Sequence, residues 1–198
     1  DDQGYGDCSL LNPDTRFQTP NIDRLGRDGV VFTDGHSSDT VCTPSRYGLL
    51  TGRYSWRTEL KRGVFAAERP CLIAEGRMTL ASLLRGQGYQ TAMVGKWGLG
   101  GPLPKDRYDV FDGFSGQGRY YPKPDGQGPH LTHRLGQQAL DFLKTCDGEK
   151  PFLLQFYTKA AHCQDGDPWP FQPDHRYDDV FADTQVPRPP TATAAHFA

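Results

Sequence analysis

The chain has 198 residues, a length that suits one domain or a large piece of one. Hydrophobic residues make up 36% and charged residues 23%, so a core can form, while 23 Gly and 16 Pro imply much loop. A formal charge of −2 argues against a nucleic-acid groove or a basic membrane-binding face, and no apolar run approaches membrane-spanning length.

Taken in chain order, "TPNIDRLGRDG" predicts a short helix, with Thr19 as cap, Pro20 in the first turn, Gly29 as stop, and Ile22 and Leu25 on its buried side. "VVFTDGHS" follows as a strand whose end brings Asp34 to Ser38 to the surface. "PSRYGLLTG" is the next helix, with Pro44 tolerated at its start and Gly52 at its end. "MTLASLLRGQGY" gives a helix with Leu80, Leu83 and Leu84 on one side, and "QTAMVGKWG" a buried strand ending in glycine. "HLTHRLGQQALDFLKT" is the longest helical pattern, with Leu135, Ala139 and Phe142 at helical spacing. "PFLLQFYT" is a strand running into "KAAH", and beyond Gln164 a Pro- and Asp-rich loop covers the core. A cap-like Thr193 introduces the first turn of an unfinished helix. Alternating helices and strands define an α/β fold, a sheet covered by helices, whose functional groups gather at strand ends.

Five cysteines, Cys8, Cys42, Cys71, Cys146 and Cys163, contain no C-x-x-C pair, so they form neither a dense disulfide framework nor a zinc site. An unpaired buried thiol is the common role for such residues. One of them stands apart in "DTVCTPSRYGLLTGRY". Cys42 lies at a helix mouth four residues before Arg46, and a helix N-terminus and a guanidinium both favour an anion there.

Two further clusters fall at strand or chain ends. Asp1 and Asp2 are adjacent carboxylates, which repel unless a cation neutralises them; hard oxygens of this kind suit Ca²⁺ or Mg²⁺. Taken alone, the pair reads as a solvated acidic terminus. Lys96 and His162 each directly follow an apolar strand, where α/β enzymes place functional groups, although a lone lysine or histidine there is as often structural. Together these residues describe a site for a tetrahedral oxyanion ester held by a divalent cation and cationic side chains.

The segment "CTPSRYGLLTGR" resembles the signature of the type I, formylglycine-dependent sulfatases, Cys-x-Pro-Ser-Arg followed by Thr-Gly. The opening Asp-Asp-x-Gly-Tyr-Gly-Asp, "TPNIDRLGRDGVVFTDGH" and "GKWGLG" resemble that family in the family's order. Asp2 precedes Cys42 by 40 positions, the family's usual separation. The likeness is closest to arylsulfatase A-like members and most specific from Asp1 to Gly100. It implies an alkaline-phosphatase-like α/β sandwich, with a mostly parallel or mixed sheet flanked by helices and incomplete in this chain.

The resemblance also implies a chemistry. The motif cysteine becomes Cα-formylglycine through a formylglycine-generating or sulfatase-maturating enzyme, and its hydrated aldehyde is a geminal diol. One diol oxygen attacks the sulfur of a sulfate monoester and expels the alcohol; the second hydroxyl then eliminates sulfate and restores the aldehyde. Carried onto this sequence, Asp1, Asp2 and modified Cys42 are ligands of Ca²⁺, with Mg²⁺ second. Arg46 stabilises the diol and the carboxylates, Lys96 contacts diol and sulfate, and His162 binds sulfate and protonates the leaving alcohol. Substrate is a sulfated small molecule or glycan, and family habit suggests a periplasmic, extracellular or lysosomal setting.

Two departures stand out. The family usually carries His two residues after the lysine, assisting sulfate elimination, and here that place is Gly98. The family also completes its metal site with an Asp-Asn pair and a later lysine. Here the two asparagines, Asn12 and Asn21, follow Leu11 and Pro20. We therefore expect residues 1–198 to be the N-terminal part of a single catalytic domain, lacking its first strand and its C-terminal part and inactive alone. A phosphonate or phosphate monoester hydrolase of the same superfamily, and a non-catalytic binder of sulfated glycans, remain the alternatives.

Overall fold

The structure is a computed structural model and describes residues 2–185 and 191–192. Asp1 and Thr193 lie outside the described residues.

Among the described residues there are four α-helices, α1 (Pro20–Asp28), α2 (Cys42–Thr51), α3 (Leu80–Gly86) and α4 (Leu131–Thr145), and three strands, β1 (Gln90–Lys96), β2 (Val110–Phe114) and β3 (Phe152–Tyr157). The strands form one parallel sheet in the order β2-β1-β3. Central β1 is buried from Thr91 through Lys96, as expected of a parallel strand covered on both faces.

Side chains on β1 alternate between two cores. Met93 points into the larger one, with Ala81, Leu72, Ile73, Trp97 and Leu99, where α2 and α3 pack. Val94 points the other way, onto Leu131 and Leu135 of α4. Each fully buried side chain of this size contributes roughly 1.5–3 kcal/mol, so these two layers fix the sheet between its helices. Helix α4 buries Leu131, Leu135, Ala139 and Phe142, the stripe read from spacing.

Helix ends follow local chemistry. Thr79 caps α3: its hydroxyl accepts from the Ser82 amide while the Ser82 hydroxyl accepts from the Thr79 amide. Gly52 closes α2 in the left-handed conformation, φ 65°, with its N–H on the Gly48 carbonyl at 2.8 Å.

Several expectations are corrected. Residues 30–37 form no strand; Val30 and Phe32 are exposed, because no neighbouring strand offers them a ladder and a lone extended segment leaves its backbone groups to water. On α1, Ile22 and Leu25 are exposed and the buried residue is Asp23. A hydrogen-bond cluster overrides the apolar pattern there: Asp23 accepts from the Ser9 hydroxyl at 2.6 Å, the Thr19 hydroxyl at 2.6 Å and the Leu10 amide at 3.1 Å. Thr19 therefore sits at the cap position but donates to Asp23 instead of capping with its side chain. On α3, Leu83 is exposed and Ala81 is the residue in the core. Helix α2 begins at Cys42, two residues before the expected start. Beyond Gln164 the described part of the chain forms loop and turns, with a 3-10 turn at His175–Tyr177. Its Gln172 and Pro173 carbonyls accept from buried His130 and Tyr121.

Candidate active site

Parallel strands send their C-terminal ends to one edge of the sheet. The register sets Lys96 of β1 against Phe114 of β2, and Gly95 of β1 against Tyr157 of β3. The three exits are therefore level, and each delivers polar groups within a few residues. β1 ends on Lys96 itself, the loop after β2 carries Gln117, and the loop after β3 carries Lys159 and His162.

Helix α2 aims its N-terminus at the same edge. Cys42, its first residue, is half-buried and lines one pocket with Lys96, close enough for its thiol to act electrostatically on the ammonium. One turn on, buried Arg46 donates from Nη1 to the Lys96 carbonyl at 2.7 Å and lies over the Tyr157 ring at 5.0 Å. A pocket of about 240 Å³ opens here, lined by Cys42, Thr43, Lys96, Gly98, Ser115 and Gln117 among others. A second pocket, of about 490 Å³, reaches Cys42 and Arg46 from the side of His36, Ser38 and Tyr157. Cys42 thus stands between two openings.

Burial shapes the electrostatics. Lys96 is 1% exposed; desolvation pulls its ammonium below the ordinary lysine range, Cys42 acts against that shift, and Arg46 reinforces it. Burial likewise lowers Lys159, and Lys96 adds to the effect. The Tyr157 hydroxyl, desolvated beneath Arg46, is pushed up to about 12. The edge is a concentrated positive region in a low-dielectric setting, which favours an anionic guest.

His162 joins this edge. Its Nδ1 donates to the Cys163 carbonyl at 2.7 Å, which leaves Nε2 for a substrate. The Tyr120 hydroxyl donates to the His162 carbonyl at 2.7 Å and ties the loop down. His162, Cys163 and Asp165 bring potential ligand atoms within 4.8 Å of one another. The Lys159 ammonium, 3.0 Å from the Cys163 carbonyl, opposes a cation there.

Asp2 is the described member of the acidic pair. It is exposed, has φ 66°, and makes no hydrogen bond or ion pair among the described residues. Its charge acts on Lys96, Lys159 and Tyr120, so it sits at the same edge as Cys42. An uncommitted hard-oxygen donor there fits a Ca²⁺-type cation. Asp1, expected beside it, lies outside the described residues.

Gly98 also belongs to the site. It has φ +70°, and a Cβ added to it would lie 3.1 Å from Arg46 Cδ and 3.3 Å from Arg46 Nε. Position 98 is therefore both conformationally demanding and packed against Arg46. Sequence reasoning missed Gln117, Lys159, Tyr120 and Tyr157. Lys159 alone carried a signal, as a second lysine directly after an apolar strand.

The C-terminal edge of a parallel α/β sheet thus gathers a helix-start cysteine, an arginine, a lysine and a histidine, a set that suits an anionic guest. The model of the sulfatase family matches residues 1–193, and the chain belongs to that family. An N-acetylglucosamine-6-O-sulfatase of Bacteroides thetaiotaomicron is 30% identical over 182 residues, covering 87% of this chain and 30% of that protein. An N-acetylgalactosamine-6-O-sulfatase of the same organism is 45% identical over 100 residues, covering 50% of this chain and 19% of the relative. Human N-acetylgalactosamine-6-sulfatase is 29% identical over 200 residues, covering 82% and 38%. The chain thus spans well under half the length of these curated relatives. Among solved structures, BT4656 in complex with its substrate D-glucosamine-2-N,6-O-disulfate has a TM-score of 0.67 at 29% identity, covering 88% of this chain and 35% of that one. Ps i-CgsB in complex with k-i-k-neocarrahexaose has a TM-score of 0.78 at 24% identity, covering 94% and 48%. The fold is the alkaline-phosphatase-like fold of the sulfatases, with part of its sheet in this chain. No helix among the described residues is long and apolar enough to cross a membrane.

Proposed function

We propose that the whole protein is a sulfuric ester hydrolase that cleaves a sulfate monoester of a sugar or aryl alcohol, with residue 42 as its nucleophile. The observation that supports this most is the meeting of Cys42, Arg46 and Lys96 at the C-terminal sheet edge: Cys42 and Lys96 line one pocket, and a hydrogen bond joins Arg46 to the Lys96 carbonyl. The curated relatives are named for 6-sulfated amino sugars, which makes a sulfated glycan the favoured substrate class.

Residue 42, converted to Cα-formylglycine by a maturation enzyme, supplies the attacking hydroxyl. Asp1, Asp2 and residue 42 would hold Ca²⁺, which would supply Lewis-acid withdrawal of charge from the sulfate. The side chains of this chain do the rest. Lys96 takes a sulfate oxygen with its ammonium. Arg46, lying over the Tyr157 ring, holds the start of α2 against β1. His162, its Nδ1–H donated to the Cys163 carbonyl, hands a proton from Nε2 to the departing alcohol when the ring is in its imidazolium form. Gly98 offers no base for sulfate release, so release depends on groups other than a side chain at that position. Residues 1–198 are in this reading the N-terminal part of one catalytic domain, and the remaining metal ligands come from a later part of the protein.

Parallel turnover assays of the whole protein on an aryl sulfate and the matching aryl phosphonate and phosphate esters test the reading. We expect sulfate to be preferred. A strong preference for phosphorus replaces the substrate class, and binding of sulfated glycans without turnover of any ester replaces catalysis with recognition.

A further inference from the structure

Lys159 is one of the largest fully buried side chains, at 1% exposure, and it forms no ion pair among the described residues. A buried ammonium without a carboxylate is costly and is retained only where its donors and charge are used. Its donors go to two backbone carbonyls, Cys163 at 3.0 Å and Gln117 at 3.4 Å, and its charge lies 5.3 Å from the centre of the Tyr120 ring.

Each of those carbonyls lies on a residue hydrogen-bonded to His162 or to Lys96. The Cys163 carbonyl is also the acceptor for His162 Nδ1, so one oxygen serves both the Lys159 ammonium and the imidazole. Gln117 accepts the Lys96 ammonium on its side-chain oxygen at 2.6 Å, while its backbone oxygen takes Lys159. The loops after β2 and β3 have no strand pairing with each other, and Lys159 connects them. Tyr120, whose hydroxyl holds the His162 carbonyl, packs its ring against the same ammonium.

Resting on the sulfatase reading of this edge, we propose that Lys159 is a positioning residue. It locks Lys96, through Gln117, and His162, through the Cys163 carbonyl, into one geometry, and it adds a second positive charge behind the sulfate position. Loss of the lysine frees both loops and removes that charge, whereas a merely structural lysine would affect folding alone.

The test uses the whole protein and inorganic sulfate as probe, with affinity measured by calorimetry alongside melting temperature. Lys159→Met is expected to weaken sulfate binding about 10- to 100-fold, the range for a lost charge-assisted hydrogen bond. Lys159→Arg is expected to recover most of the affinity, and Lys159→Gln, which keeps donors without charge, to fall between. These two variants carry the test if the methionine variant does not fold. Sulfate affinity unchanged in the folded variants, with only the melting temperature lowered, overturns the inference while leaving the sulfatase reading intact. Failure of the unsubstituted protein to bind sulfate at all overturns both.

Discussion

Arg46 Nη1 reaches the backbone carbonyl of Lys96 across fifty residues of sequence, at 2.7 Å and out of solvent. That bond fastens the first turn of α2 to the last residue of β1, and so sets the distance between Cys42 and the Lys96 ammonium. The guanidinium acts here through a backbone oxygen as well as through charge. We predict that Arg46→Met destabilises the whole protein by about 1.5–3 kcal/mol, the range for a hydrogen bond from a charged donor, measured by denaturant unfolding. Turnover should fall further than stability explains, because helix and strand lose their mutual anchor.

Cys42 is half-buried at the first position of α2 and contributes no core packing. Cys42→Ala should therefore leave the melting temperature within a few degrees of the unsubstituted protein. Turnover should drop by about 10³-fold or more, as expected when a nucleophile is removed and binding groups remain. Steady-state kinetics beside a thermal melt checks both halves.

Gly98 presents the opposite case, a position where backbone conformation dominates. With φ +70° and Arg46 Cδ 3.1 Å from a would-be Cβ, Gly98→Ala should cost about 1–2 kcal/mol for the left-handed conformation alone. Turnover should fall too, because the arginine must shift to make room. A stability measurement on the alanine variant, with Gly98→Ser for comparison, reads the effect.

Asp23 sets a pH dependence away from the site. Hydrogen bonds from Ser9 and Thr19 hold its carboxyl below the ordinary 3.8 despite its burial. The folded value lies under the unfolded one, so the contribution is complete above pH 3.8 and is lost as pH falls through the depressed value. Asp23→Asn should be less stable than the unsubstituted protein at neutral pH, with the difference narrowing below pH 3.8. Melting temperatures across an acid series measure it.

What the sequence disclosed follows physical lines. Cys42, Arg46, Lys96 and His162 were legible because each sits in a motif or directly after an apolar strand, where position along the chain nearly fixes position in space. β1, β3 and α4 were legible because burial on both faces, or a stripe at helical spacing, leaves a periodic mark. β2 was not legible: "VFDGF" is five residues, two of them polar or glycine, and only its pairing with β1 makes it a strand. Asp23 was hidden for a related reason, since its burial comes from residues ten and more positions earlier. The role of Gln117 rests on one side-chain oxygen meeting Lys96, and a glutamine in a glycine-rich loop announces nothing. Val30 to Phe32 reads as strand yet pairs with no strand among the described residues, because apolar content alone supplies no partner for the backbone.

The central claim is that residue 42 works as a modified group. Mass spectrometry of the peptide carrying Cys42, taken from the whole protein purified from its natural host, tests it most directly. The account predicts that a substantial fraction carries Cα-formylglycine, an aldehyde in place of the thiol. Unmodified cysteine in all of the active material would contradict it.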